Sequence, residues 1–192
     1  MNTTVKITLK HQDISVRRAS IEDALKIAEL HIAAWKVAYK GLVSDQYLSE
    51  LNVETRAIRW RESLAKNEDN TFLAVLKKGD DHSEVVGFVV CNKCRDADLQ
   101  QSTTSGEIFA IYVRPDLIGA GIGAKLMLHG EQRLKEMGFT TSFLWYLKGN
   151  AAAETFYKKF GYSDNAKTKE HEFTSPSGHS ETKILVRLEK QL

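Results

Sequence analysis

Only two prolines occur among the 192 residues, which leaves little room for a low-complexity linker between folded elements. Cysteine is equally scarce. Cys91 and Cys94 form a CxxC, but they stand in EVVGFVVCNKC, which reads as a strand, where residues three apart point to opposite faces. The six histidines show neither HExxH nor a paired spacing beside these cysteines, so redox and zinc chemistry are set aside and no metal ligand is assigned. Buried free thiols in a reducing compartment are the expectation. No apolar run reaches the roughly 18 to 20 residues of a membrane span, and MNTTVKITLKHQD lacks the apolar centre of a secretory signal. The chain therefore reads as cytoplasmic, with no membrane partner. Charge of one sign is missing too: 27 basic and 25 acidic residues are well mixed and give a net +2. Without a basic stripe or an exposed aromatic strand pattern, a nucleic-acid partner is not expected.

What is present suits a soluble domain with a sizeable core: 42% hydrophobic and 27% charged residues. We read one domain over residues 14–190, preceded by an extension of residues 1–13. The extension is taken as a flexible arm, although Val5, Ile7 and Leu9 alternate as in a strand. A short strand is predicted over residues 14–18. A helix follows, with Ser20 as N-cap, Glu22 and Asp23 in its first turn, Ile21, Leu25, Ala28, Ile32 and Trp35 on one face, and Gly41 as its stop. A second helical region covers about residues 44–66. Three strands come next, from Thr71, from Glu84 and from Gly106 to Pro115, separated by loops of hairpin length. The third is apolar on both faces, as expected of a covered central strand. A helix with Ile122, Leu126, Gly130, Leu134 and Met137 on one face leads to the strand TTSFLWYLK. Asn150 then caps a helix with Ala153, Phe156, Tyr157 and Phe160 inward, and a hairpin turning at SPSGHS closes the chain. The order βααβββαβαββ implies an α/β fold with a mixed, mostly antiparallel sheet of six to seven strands and helices on both faces.

In YVRPDLIGAGIGAKL, three alternate glycines, Gly119, Gly121 and Gly123, lie between a strand and a helix. Unpaired N–H groups and the positive end of a helix dipole suit a phosphate or pyrophosphate there. A Walker A loop would need Lys and then Ser or Thr after the last glycine, but Ala124, Lys125 and Leu126 follow Gly123. A dinucleotide fingerprint needs GxGxxG and an acid about twenty residues on; this loop is GxGxG, and GFTTSFLWYLK contains no acid.

Taken with NAAAETFYKKFGY, which begins at Asn150, the strand end VxP, the glycine loop, the helix and the strand resemble the GNAT superfamily of N-acetyltransferases over nearly the whole chain. The resemblance implies acetyl-CoA as cofactor. Gly119, Ala120, Gly121, Ile122, Gly123 and Ala124 would hold its pyrophosphate by backbone N–H groups. Ile111, Tyr112 and Val113 would pair with the pantetheine arm along a splayed strand edge, Asn150 and Ala153 would touch that arm, and Tyr157 would sit near the sulfur. The family usually has Gln or Arg at the place of Ile118 and a basic or small residue at that of Ala120. A lost hydrogen bond to charged phosphate costs about 1.5–3 kcal/mol, so cofactor binding is expected weakened, with the backbone donors intact.

Acetyl transfer needs a neutral amine, a polarised thioester and a proton for the leaving thiolate. Tyr157 is the candidate acid, because a phenol of pKa about 10 stays protonated at neutral pH and can donate to a thiolate. Glu107, the only acid in GEIFAIYV, is the candidate base, and many family members carry Glu at this strand position. Trp35, Tyr39 and Tyr47 could wall the acceptor site, which would suit a cationic or amphipathic amine; the competing reading packs Trp35 and Tyr39 as an i,i+4 pair on the core face. The acceptor is a small-molecule or peptide amine, and the resemblance allows a homodimer. A non-catalytic acyl-CoA sensor or interaction domain is the alternative; Tyr157, Asn150 and Glu107 together favour the enzyme.

Overall fold

The structure is a computed structural model that describes residues 14–66, 70–79 and 82–192. The N-terminal extension, including Val5, Ile7 and Leu9, lies outside the described residues. The elements are β1 (Ile14–Arg18), α1 (Ala24–Ala38), α2 (Asp45–Ser49), α3 (Val53–Lys66), β2 (Asn70–Lys77), β3 (Ser83–Lys93), β4 (Ser105–Val113), α4 (Ile122–Glu136), β5 (Thr141–Leu147), α5 (Ala151–Lys159), β6 (Ser163–Thr174) and β7 (Ser180–Gln191). Among the described residues, seven strands form one sheet in the order β1-β2-β3-β4-β5-β7-β6. Every neighbouring pair is antiparallel except β4 with β5.

Apolar alternation in β4 lets helices cover both of its faces. On one side Ile108, Ile111 and Val113 pack with Ile122, Leu126 and Leu134 of α4 and with Ala153, Phe156, Tyr157 and Phe160 of α5. On the other, Phe109, Ala110 and Tyr112 pack with Ile27 and Leu30 of α1 and Trp60 and Leu64 of α3. Gly130 lets α4 lie close to the sheet, since a Cβ there would stand 2.9 Å from Ile108 Cδ1 and 3.1 Å from Val89 Cγ2. Cys91 and Cys94 are both buried and form no disulfide among the described residues. Burial pushes the Cys94 thiol up to about 12, so it stays protonated and inert.

Two expectations about helices need correction. The region 44–66 is two helices, because Asn52 Oδ1 accepts from Thr55 N at 2.8 Å and starts a new one, while Ser44 Oγ accepts from Tyr47 N and caps α2. The buried face of α1 is also turned from the predicted one. Ile21 and Leu25 are exposed, whereas Ala24, Ile27, Ala28, Leu30 and His31 are buried. The physical reason is a 3-10 turn over Ile21–Asp23 that precedes the α-helix and shifts its phase.

Asp23 holds that turn in place. Its carboxylate accepts from Ser20 N and Oγ at 2.9 and 3.1 Å and pairs at both oxygens with Arg17 at 2.7 Å. The Arg17 guanidinium draws the Asp23 pKa down from 3.8 to about 2. The stabilisation is complete above the ordinary carboxylate range and is lost as pH falls toward about 2. Thermal melts of Asp23→Asn are expected below wild type at neutral pH and to converge with it in acid; curves equally spaced at every pH would show that the pair contributes nothing.

Candidate functional site

β4 and β5 pair only from Ser105↔Thr141 to Ile108↔Leu144. Beyond Ile108 the two strands part. A bulge in the β3–β4 register, where Cys91 faces Ile108 and Val90 faces Ala110, leaves Phe109 without a partner and turns the free edge of β4 outward. The gap is a cleft of about 330 Å³, walled by Ile111, Tyr112 and Val113 of β4, Trp145, Tyr146 and Leu147 of β5, Asn150, Ala153 and Tyr157 near α5, and Val37, Ala38 and Tyr39 from the end of α1.

A second hollow of about 420 Å³ continues from it, lined by Gly119, Gly121, Gly123 and Ala124 of the loop and by Phe156 and Phe160. Ile111, Val113, Ile118, Ala153 and Tyr157 line both, so the two form one groove. Gly119 and Gly121 have φ of +91° and +81°, a left-handed backbone that side chains oppose. Gly121 directly precedes α4. Among the described residues, the N–H groups of Gly119, Gly121, Ile122, Gly123 and Ala124 find no acceptor. That of Ala120 does, bonding Leu117 O at 3.2 Å, so Ala120 is not one of the free donors. The side chains of Ala120 and Ile122 pack into the core, whereas Ile118 is 68% exposed at the groove. The N-terminus of α4 is thus a set of free donors at the positive end of a helix dipole, facing an open hollow.

At the other end of the groove, Asn150 Oδ1 accepts from Ala153 N at 3.1 Å and starts α5, which carries Tyr157. Burial raises the Tyr157 pKa, and Tyr39 raises it further. Across the cleft the Tyr39 and Tyr112 hydroxyls lie 2.9 Å apart in a hydrogen bond, and burial raises both of their pKa values. Three neutral phenols therefore line the same cleft.

Of the expected acceptor wall, only Tyr39 lines this cleft. Trp35 stands edge-on behind it at 5.1 Å and stacks near Tyr47 at 6.2 Å. Tyr47 is buried in an apolar cluster with Val43, Leu48, Leu147 and Phe173. Glu107 is buried and is not among the lining residues. Its Oε2 accepts from Arg95 N at 3.2 Å, and burial raises its pKa. It sits on the paired stretch of β4, one residue before the strands part. Reading the sequence missed Phe109 and Trp145. Trp145 is fixed by its Nε1, which donates to Asp96 at 2.9 Å, and by Lys169 Nζ 3.9 Å over its ring. Strand alternation could have placed Trp145; nothing local announces the bulge at Phe109. Among the described residues no group of three metal-ligating side chains occurs, and no helix is long and apolar enough to cross a membrane.

The sequence pattern of the acetyltransferase (GNAT) family matches residues 32–162. An uncharacterized N-acetyltransferase of Bacillus subtilis is 29% identical over 147 residues, 77% of this chain and 79% of that protein. A spermidine N(1)-acetyltransferase of Thermoplasma acidophilum is 25% identical over 150 residues, 78% of this chain and 88% of that protein. Among solved structures, an N-acetyltransferase of Thermoplasma acidophilum in complex with coenzyme A has the same fold, with a TM-score of 0.65 and 22% identity over 93% of this chain and 99% of that one.

Removing the Tyr39 hydroxyl takes a hydrogen bond from the half-buried Tyr112. Tyr39→Phe is expected to destabilise the fold by about 0.5–1.5 kcal/mol, read from a urea titration. An unchanged midpoint would mean that the pair with Tyr112 is not made in solution.

Proposed function

The chain belongs to the acetyltransferase (GNAT) family, whose co-substrate is acetyl-CoA, and from that premise we propose how it moves an acetyl group to an amine in a ternary complex. The observation that carries the reading is the single groove, with free helix-terminal N–H groups at one end and three phenols at the other. A long ligand with a pyrophosphate, an amide-bearing arm and a reactive end matches that order. The pyrophosphate takes the N–H groups of Gly119, Gly121, Ile122, Gly123 and Ala124. The arm lies along the free edge of β4, where its amides replace the hydrogen bonds that β5 no longer supplies. The thioester then reaches Tyr157.

The neutral amine attacks the thioester carbonyl carbon, and a backbone N–H of β4 near Tyr112 or Val113 takes the developing oxyanion. When the tetrahedral intermediate collapses, the C–S bond breaks and Tyr157 gives its proton to the thiolate. The raised pKa of Tyr157 keeps that proton in place until the thiolate forms. Glu107 receives the amine proton through water, because it lies on the paired stretch of β4, before the strands part after Ile108, and outside the cleft lining. Burial raises its pKa above the ordinary carboxylate value, which makes it a stronger base than an exposed carboxylate. An amine acceptor is supported by the spermidine acetyltransferase relative. Two buried cysteines outside any disulfide suit a reducing, cytoplasmic setting.

Isothermal titration with acetyl-CoA is the direct test. Wild type is expected to bind in the micromolar range, and Gly121→Asp, which sets a carboxylate against the pyrophosphate, to lose binding; no binding at millimolar ligand would overturn the reading. Tyr157→Phe is expected to lower kcat by roughly 10²–10⁴-fold while acetyl-CoA still binds. For Glu107→Gln, loss of rate together with loss of the acidic limb of the pH profile is expected, since the base works only when deprotonated. An unchanged profile would remove Glu107 from the mechanism.

A further inference from the structure

Helix α3 carries two guanidiniums on its first turns, Arg56 and Arg59, that line a cavity of about 340 Å³ with Tyr47, Thr55 and the β6–β7 turn at Ser175. This cavity lies outside the groove described above. Arg56 is half-buried, and its Cζ sits 4.9 Å from the Trp35 ring centroid, over the ring. Other guanidiniums of the fold are matched with carboxylates: Arg17 with Asp23, Arg114 with Glu84 and Asp116, Arg187 with Asp96 and Asp98. Among the described residues, Arg56 and Arg59 have no such partner. The groups acting on Arg56 are Tyr47, Tyr112 and the like charge of Arg59. Two carboxylates lie near lining residues without lining the cavity themselves, Glu181 by Tyr47 and Glu50 by Ser175, and both are engaged. Glu181 takes Ser44 N at 2.7 Å and Lys183 Nζ at 2.8 Å, and Glu50 takes Ser177 N and Oγ at 3.0 and 2.8 Å.

A half-buried arginine without a counter-charge loses hydration and gains no ion pair, an arrangement that a ligand anion would complete. The aromatic face that would serve a cationic acceptor is covered by the chain's own cation, so a second cation there meets Arg56 instead of the Trp35 ring. Trp35 is 5.1 Å from Tyr39, which lines the reaction cleft. The Arg56 cavity therefore stands one indole away from the site of transfer.

We propose that the acceptor of this acetyltransferase is an amine whose molecule also carries a carboxylate, held by Arg56 and Arg59 beyond the Trp35–Tyr39 rim while the amine enters the cleft. The proposal rests on the transferase reading and narrows its acceptor away from polyamines, whose second ammonium would face two guanidiniums. Arg56 supplies a planar pair of donors for the carboxylate, and Thr55 and Tyr47 supply hydroxyls beside it.

The test compares a ladder of ω-amino acids with the α,ω-diamines of equal length, so that each pair differs only in carboxylate against ammonium. Initial rates with acetyl-CoA are measured for wild type, Arg56→Gln and Arg56→Lys, and calorimetric binding to the CoA-loaded protein is measured with the same probes. Wild type is expected to prefer the amino acids in kcat/KM by roughly tenfold or more, with an optimum at an intermediate chain length. Arg56→Gln should abolish that preference, raising KM for the amino acids and lowering it for the diamines, whose second ammonium then faces one guanidinium fewer, and Arg56→Lys should restore part of the discrimination against diamines. Diamines equal to or better than amino acids with wild type would overturn the proposal, as would an equal loss on both series in Arg56→Gln. Selective binding of amino acids without any transfer would sustain the anion site and overturn the enzymatic reading instead.

Discussion

The structure turns on the point after Ile108 and Leu144 where two neighbouring parallel strands stop pairing. Buried backbone N–H and C=O groups must be bonded, and an open strand edge is costly unless something meets it. Here β3 still holds β4 on its other side through Val113, so the strand keeps its shape while one edge stays open. The bulge at Phe109 reinforces the parting, and β5 is held away by β7, with which it pairs along its whole length. Because β4 ends in the turn that leads to α4, the open edge and the free helix N-terminus fall in line. The groove and its alignment with the free N–H groups of α4 are consequences of one departure from regular sheet pairing.

The two faces of β4 do different work. Toward α4 and α5 it presents Ile111 and Val113, which pack under the glycine loop and Tyr157. Toward α1 and α3 it presents Tyr112, whose hydroxyl meets Tyr39 and whose ring lies 4.9 Å from His31. His31 accepts from Trp60 Nε1 at 3.3 Å, and burial among aromatic rings pulls its pKa down to about 3, so it adds no charge. This aromatic layer lies between the cleft and the arginine-bearing face of α3.

How much was legible in the sequence follows from how local each feature is. The glycine loop, the Asn150 cap and the inward face of α5 were readable because each depends on backbone demands within a few residues. The division between α2 and α3 was not, since Asn52 lies between two stretches that both suit a helix and only its bond to Thr55 N marks the boundary. The face of α1 was misjudged by treating Ile21 as part of the helix, although the Arg17–Asp23 pair fixes it in a tighter turn. Trp35 and Tyr47 sat on a plausible acceptor wall by composition, yet the packing of α1 against α3 and β6 sets them behind Tyr39.

By itself the sequence determined the fold class, the family resemblance and the glycine loop before α4, because strand alternation, helix capping and left-handed glycines are short-range constraints. Tertiary structure decided where the sheet opens, which aromatic reaches the cleft, that Glu107 is buried, and that Arg56 lies over Trp35 without a carboxylate. Those depend on contacts between residues far apart in the chain, and no local pattern records which side chains the fold brings face to face.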